Sequence, residues 1–354
     1  MDNGIAGIDH VIVGVRDLER ARLGWTRLGF TLSPRGRHIG QGTANYCIMF
    51  SSDYVELLGI VDPNDFVQRL DTFLAQREGL MAVAFAPAGA PEEVRAALLG
   101  RELHPSEPRP LGRQLELQEG TVVPRFSLIS LPADETPGLD CFICAHLTPE
   151  LLRRPEWLHH PNGAVGLKGI HVLVESTAAL LEPYDRLFGI QQVTTTDAVA
   201  SVHAGPHRIV FSTPDDFSTM YPALDVASDF PLPGIVSVEF GVARREDTGD
   251  YLTRRQVPFD QLPDGSLVVP AREASGAILF FSSAAPIHNW PRPMRNTSGW
   301  AGSSIYESSR VKGGGFGVFL SSARAAAAIP LSTRRMVRFC SSLARNTRIA
   351  SGAS

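Results

Sequence analysis

The stretch that decides the fold is GIDHVIVGV, residues 7–15, an apolar strand with Asp9 and His10 set into it. Its reading comes from three partial copies elsewhere in the chain: GLMAVAFAP (79–87), GIHVLVES (169–176) and GIVSVEFGV (234–242). Each is a glycine followed by an aliphatic residue and a strand rich in Val or Ala, and such self-similarity marks a repeat architecture. Aligned on those glycines, the positions matching His10 are Ala82, His171 and Ser237.

The segments after each strand recur as well. RDLERARLGWTRLGF has apolar residues at Leu18, Ala21, Leu23, Trp25 and Leu28, with Asp17 placed to cap a helix and Gly29 to stop it. APEEVRAALLG and STAALLEPYDRLFG repeat the pattern, whereas RREDTGDYLTRRQV is short and polar and is expected to have lost most of its helix. Alternating, turn-punctuated runs such as NYCIMFS and YVELLGI then read as strands. The prediction is an α+β protein of four βαβββ modules over roughly 5–62, 78–147, 167–214 and 233–284. Each module has an open edge and one apolar face, so they pair into two half-barrel domains, 1–147 and 167–285, joined by a linker over 148–166. Residues 286–354, rich in Ser, Arg, Ala and Gly, are expected to be an irregular, disordered tail; RAAAAIPLSTRRMVRFCSSLA within it could also form a basic amphipathic helix.

Composition narrows the function. The net charge is −4; from residue 291 onward ten basic residues face one acid (Glu307), a balance of +9, so the first 290 residues carry −13. An acidic body argues against a nucleic-acid partner. No uninterrupted apolar run is long enough to span a membrane, and the start lacks a signal-peptide pattern, so a cytoplasmic protein is expected. The near-absence of lysine (only Lys168 and Lys312) fits a high-GC bacterial coding bias. Cys141 and Cys144 form a single CxxC within a strand, which puts them on opposite faces; without a second pair they read as buried structural cysteines. Assembly as a homodimer is left open.

The candidate chemistry is His10 with Glu56. Glu56 lies in the apolar strand YVELLGI, where a carboxylate is costly to bury unless it is paired or metal-bound. First and last strands of one module can lie side by side, bringing both side chains into one concavity. Imidazole plus carboxylate suits a divalent Zn, Fe, Mn, Co or Ni ion. Taken singly, each residue could equally be an isolated polar group at a strand end. His38, Thr43 and Asn45 fall on the glycine-rich stretch beside the same mouth. There they could bind a polar substrate group, with His38 as general acid or base, or else cap a turn held by Gly36, Gly40 and Gly42.

With the fourfold repeat, the elements His10, Leu28-Gly29-Phe30, Gly36-Arg37-His38, Gly42-Thr43-Ala44-Asn45 and Tyr54-Val55-Glu56-Leu57 resemble the glyoxalase-like domain proteins of the vicinal oxygen chelate superfamily. CFICAHLTPELLRRPEWLHHPNGA is similar to that group's segment between the halves, and the resemblance spans about residues 5–285. It implies metal ligands from the first and last strands of two paired modules, which makes His10 and Glu56 ligands. Ala82 cannot ligate; if Cys144 matches Glu56, His146 two residues on shares its face and is the candidate third ligand. A site in the second half would draw on His171, Ser237 and Ile278; only one of these can ligate, so that half is read as structural or as a metal-free pocket. The resemblance implies a divalent-metal-assisted lyase or isomerase acting on a small oxygenated molecule, with Glu56 also able to shuttle a proton. The alternatives are a non-catalytic protein that sequesters a small molecule, and a degenerate fold serving as an interaction scaffold.

Overall fold

The computed structural model describes residues 4–284, apart from 225, 228 and 229. The expected tail and its basic helix lie outside the described residues. The first module runs β1 (Ile5–Gly14), α1 (Leu18–Arg27), β2 (Gly36–His38), β3 (Thr43–Met49) and β4 (Tyr54–Ile60). After a short helix, α2 (Leu70–Gln76), the second runs β5 (Gly79–Pro87), α3 (Pro91–Leu99), β6 (Arg109–Leu117), β7 (Gly120–Val122), β8 (Arg125–Ser130) and β9 (Cys141–His146). The third comprises β10 (Ala164–Leu173), α4 (Leu181–Phe188), β11 (Val193–Thr195), β12 (Val199–Ala204) and β13 (His207–Ser212). Helix α5 (Pro214–Met220) leads to the fourth: β14 (Gly234–Val242), α6 (Arg245–Arg254), β15 (Asp260–Gln261), β16 (Leu267–Val269) and β17 (Ile278–Ser283). No helix among the described residues is long and apolar enough to cross a membrane.

Helix α1 forms where its capping chemistry places it. The Asp17 carboxylate accepts from the N–H groups of Glu19 and Arg20, and Gly29 takes φ +89° just past the end. Leu18, Ala21, Trp25 and Leu28 lie on one buried stripe, whereas Leu23 falls off that period and is exposed. The fourth module corrects its expectation. Helix α6 is present over ten residues, because Thr248 and Leu252 bury one turn apart while the charged residues of RREDTGDYLTR point outward. Polarity marked a solvated face there, not a lost helix.

In the first sheet the strands run β2-β3-β4-β1-β5-β9-β8-β6-β7, and a further β2–β6 pairing closes it into a barrel. The second sheet, β11-β12-β13-β10-β14-β17-β16-β15, has no such closing pair among the described residues. In each sheet two modules meet through antiparallel first strands, β1 with β5 and β10 with β14. The two halves share a core: the Phe30 ring lies 4.9 Å from that of Phe240 and 6.1 Å from that of Phe281. Asp53 accepts from the Leu167 N–H at 2.9 Å, and His207 Nδ1 accepts from the Ile8 N–H at 2.9 Å. Both links satisfy buried backbone donors across the joint.

The registers correct the alignment of the repeats. The irregularities in the β1–β5 ladder recur in the β10–β14 ladder when Gly7 is set on Gly166, so His10 corresponds to Gly169 and Ile12 to His171. Gly166 and Gly169 are each followed by an aliphatic residue, and the sequence alignment took the wrong one. His171 instead bonds Ser212 Oγ at 2.8 Å near the end of its strand. By the same registers Glu56, opposite Ile12, corresponds to Phe142 rather than Cys144 in the second module, to Val210 in the third, and to Phe280 rather than Ile278 in the fourth. Cys141 and Cys144 are free, buried thiols in two different core clusters, as their spacing on a strand requires.

Candidate active site inside the first barrel

Strand alternation builds the site. Strands β1 and β4 pair in parallel with His10 opposite Tyr54, so Glu56, two residues on, shares the face of His10. On β3, Cys47 sits opposite Glu56, which puts Asn45 and Thr43 on the same face. On β2, Gly36 sits opposite Asn45, and His38 follows two residues later. Strand β6 closes the ring with Arg113 opposite His38. His10, His38, Glu56 and Arg113 thus meet at a narrow cleft of about 40 Å³, walled on its apolar side by Leu111, Phe126, Leu128 and Phe142.

Glu56 is the centre of this cluster. Its Oε2 lies 3.6 Å from His10 Nε2 and its Oε1 3.6 Å from His38 Nε2, while the Asn45 amide donates to Oε1. His38 Nδ1 meets Thr43 Oγ1 at 2.8 Å. Burial pushes the Glu56 carboxyl up, but His38, His10 and the Asn45 hydrogen bond together hold it below the usual carboxylate range, so it is ionised at neutral pH. Burial lowers His38, against an upward pull from Glu56, and favours its neutral form. All five residues named from the sequence for this mouth therefore come together: His10, His38, Thr43, Asn45 and Glu56.

His146 lies beyond His10. Its Nε2 meets Asp9 Oδ2 at 3.0 Å, and the same oxygen lies 2.7 Å from His10 Nδ1. A register shift between Ile8 and His10 leaves Asp9 outside the ladder, so consecutive side chains turn to one side. Burial raises the Asp9 carboxyl, yet His146 and His10 hold it far below the ordinary range. A carboxylate that accepts from Nδ1 fixes the imidazole and leaves Nε2 facing Glu56, the arrangement that orients metal-ligating histidines.

Two functional residues escaped the sequence reading. Asp9 stands beside His10 in the opening strand, but only the bulge turns it inward. Arg113 breaks the apolar phase of Leu111-x-Arg113-x-Leu115, a signal that was visible in the alternation. Its Nη1 donates to Cys47 Sγ at 2.9 Å, and burial pushes that thiol up to about 11, so the sulfur is a neutral acceptor.

The His10–Glu56 pair is spaced as two donors to one divalent ion would be. The two 3.6 Å separations are too long for hydrogen bonds. The His10 Nε2–Glu56 Oε2 separation is close to the spacing, about 3.4 Å, between two donors that each lie about 2.1 Å from one tetrahedral ion, whereas His38 faces the other carboxylate oxygen. The second-module positions that correspond to His10 and Glu56, Ala82 and Phe142, supply no donor. Among the described residues the three donors that converge within 4.8 Å of one another are Asp9 Oδ, Cys144 Sγ and His146 N, with Asp9 also holding both imidazoles.

A family model for the glyoxalase-like domain matches residues 8–188, just over half of the chain. The chain belongs to the glyoxalase-like domain family. Among solved structures, this glyoxalase-like protein is similar to a hypothetical protein from Staphylococcus aureus, at 14% identity and TM-score 0.56, over 78% of this chain and 99% of that one. That likeness shows a shared fold. Weaker similarity extends to a mutant 4-hydroxymandelate synthase from Streptomyces coelicolor (12% identity, TM-score 0.46, 78% of this chain and 92% of that one). A fusion protein of a xylose isomerase-like TIM barrel with 4-hydroxyphenylpyruvate dioxygenase also matches (13%, TM-score 0.44, 80% and 50%). No curated protein matches this glyoxalase-like chain.

Proposed function

We propose that this glyoxalase-like protein is a divalent-metal-assisted enzyme of the lyase or isomerase type, acting inside the first barrel on a small oxygenated molecule. One observation carries the reading: a buried Glu56 carboxyl flanked at 3.6 Å by imidazole nitrogens of His10 and His38. His10 and Glu56 are the residues that would hold the ion; His146 supports His10 through Asp9. When bound, the ion supplies Lewis acidity, stabilising negative charge on a substrate oxygen. The chain's own part is proton transfer. The Glu56 carboxylate takes a proton from the carbon beside that oxygen, and His38, held by Thr43, returns or accepts one on the other side. Asn45 keeps the carboxylate aimed, and the closed barrel keeps bulk water from the reacting carbon.

The second reading, a non-catalytic binder of a small molecule, is favoured by one feature: Ala82 and Phe142 stand where the superfamily pattern would place two further ligands. Metal content separates the two. Purified protein carrying near one Zn, Fe, Mn, Co or Ni per chain, lost in His10→Ala and Glu56→Ala, supports the enzyme. Protein that stays metal-free after incubation with each of these ions sinks it and leaves the binder. The same reading takes the protein to be cytoplasmic, with a small-molecule substrate as its partner.

A further inference from the structure

Arg113 is a fully buried cation whose hydrogen bonding is unfinished. Only 2% of the residue is exposed, yet Nε and Nη2 have no partner, and among the described residues no carboxylate lies within salt-bridge distance. Leaving a guanidinium edge unpaired in an apolar interior is costly, and proteins keep such groups where function requires them. The two bare nitrogens are not scattered. Nε and Nη2 form the side-on edge of the guanidinium, the pair of parallel donors that matches the two oxygens of a carboxylate. Nη1 is tied to Cys47 Sγ and the plane lies near the Phe126 ring, with Cζ 5.8 Å from its centroid, so the edge is fixed in orientation. Arg113 lines the same cleft as His10, His38 and Glu56.

A second orphan lies nearby. Asn45 Oδ1, also buried, has no donor. A Cβ built on Gly36 would collide with this oxygen and would come within 2.6 Å of Arg113 Cδ, so both side chains pass over that glycine. The absence of a side chain at 36 makes room for them at the cleft wall.

We propose that Arg113 is the carboxylate-binding residue of this cleft, and that the substrate is a small organic acid. Its carboxylate takes the Nε–Nη2 edge, its oxygenated carbon faces Glu56 and His10, and its apolar remainder lies against Phe126 and Phe142. This rests on the cleft being the active site proposed above. Glu56 is itself anionic, so the cation also offsets the repulsion that a second carboxylate would meet beside it.

The test uses formate, the smallest carboxylate, on the full chain, with sodium chloride holding ionic strength constant. The expected result is a saturable rise in melting temperature with formate over chloride, absent in Arg113→Met and reduced in Arg113→Lys, which keeps the charge but not the two-donor edge. Glu56→Gln should retain or enlarge the rise, since it removes the neighbouring negative charge. No formate-specific rise in the wild type, or an equal rise in Arg113→Met, overturns the proposal. Should Arg113→Met not fold, an undiminished rise in Arg113→Lys overturns it equally. A formate effect that persists in a protein binding no metal strikes the catalytic reading alone.

Discussion

Protonating His160 should destabilise the fold by an amount that the geometry sets. His160 Nδ1 accepts from the Thr31 N–H at 3.1 Å, and Nε2 faces the Met49 carbonyl at 3.1 Å, so the ring is a neutral Nε2–H tautomer. Phe50 and Phe30 pack edge-on to it, with centroids at 4.6 and 5.8 Å. A charged ring would turn Nδ1 into a donor facing a donor. Burial accordingly lowers its pKa to about 4. The folded value lies below the unfolded one, so the contribution is fully present above about pH 6.5 and is lost as pH falls toward 4. Between pH 7 and pH 5 the loss from this residue is about 2 kcal/mol. Urea unfolding at both pH values, in wild type and His160→Gln, isolates it, because every other titrating group is common to the pair. The wild type should lose about 2 kcal/mol more than the variant over that interval. Equal losses would refute the assigned tautomer and the role of burial.

Three further outcomes follow from the same contacts. Asp9→Asn keeps the shape but not the charge that orients His10, and should weaken metal affinity on the order of 10- to 100-fold, read by competition with a chromogenic chelator. Gly36→Ala forces a methyl against Asn45 and Arg113 and should cost about 1–3 kcal/mol in urea unfolding, with loss of the formate effect. Asp53→Ala leaves the Leu167 N–H without its acceptor at the joint between the sheets and should cost about 1–3 kcal/mol, read the same way.

Much of the fold was legible because repetition and period-two alternation are properties of sequence. The order of strands and helices in the first and third modules can be read from GIDHVIVGV and its copies, whereas the polar face of α6 hid the fourth module's helix. So can the meeting of His10 with Glu56, since strands one and four of a module lie together and alternation fixes which side chains share a face. What could not be read was register. The choice between Gly166 and Gly169 depends on irregularities in a ladder with a distant strand, and two residues of slip moved His171 onto the place of Gly169. The same kind of irregularity turned Asp9 inward. His146 was placed by counting from Cys144, whereas pairing with β5 makes Phe142 the partner of Ala84 and the true counterpart of Glu56. Arg113 was legible but unused: a charged residue at an inward position of an alternating strand is a site signal even without a motif.

The most direct test of the central claim is an anomalous-diffraction map of crystals soaked in cobalt(II). The account predicts one peak within bonding distance of His10 Nε2 and the Glu56 carboxylate. A peak between Asp9, Cys144 and His146, or no peak inside the first barrel, would contradict it.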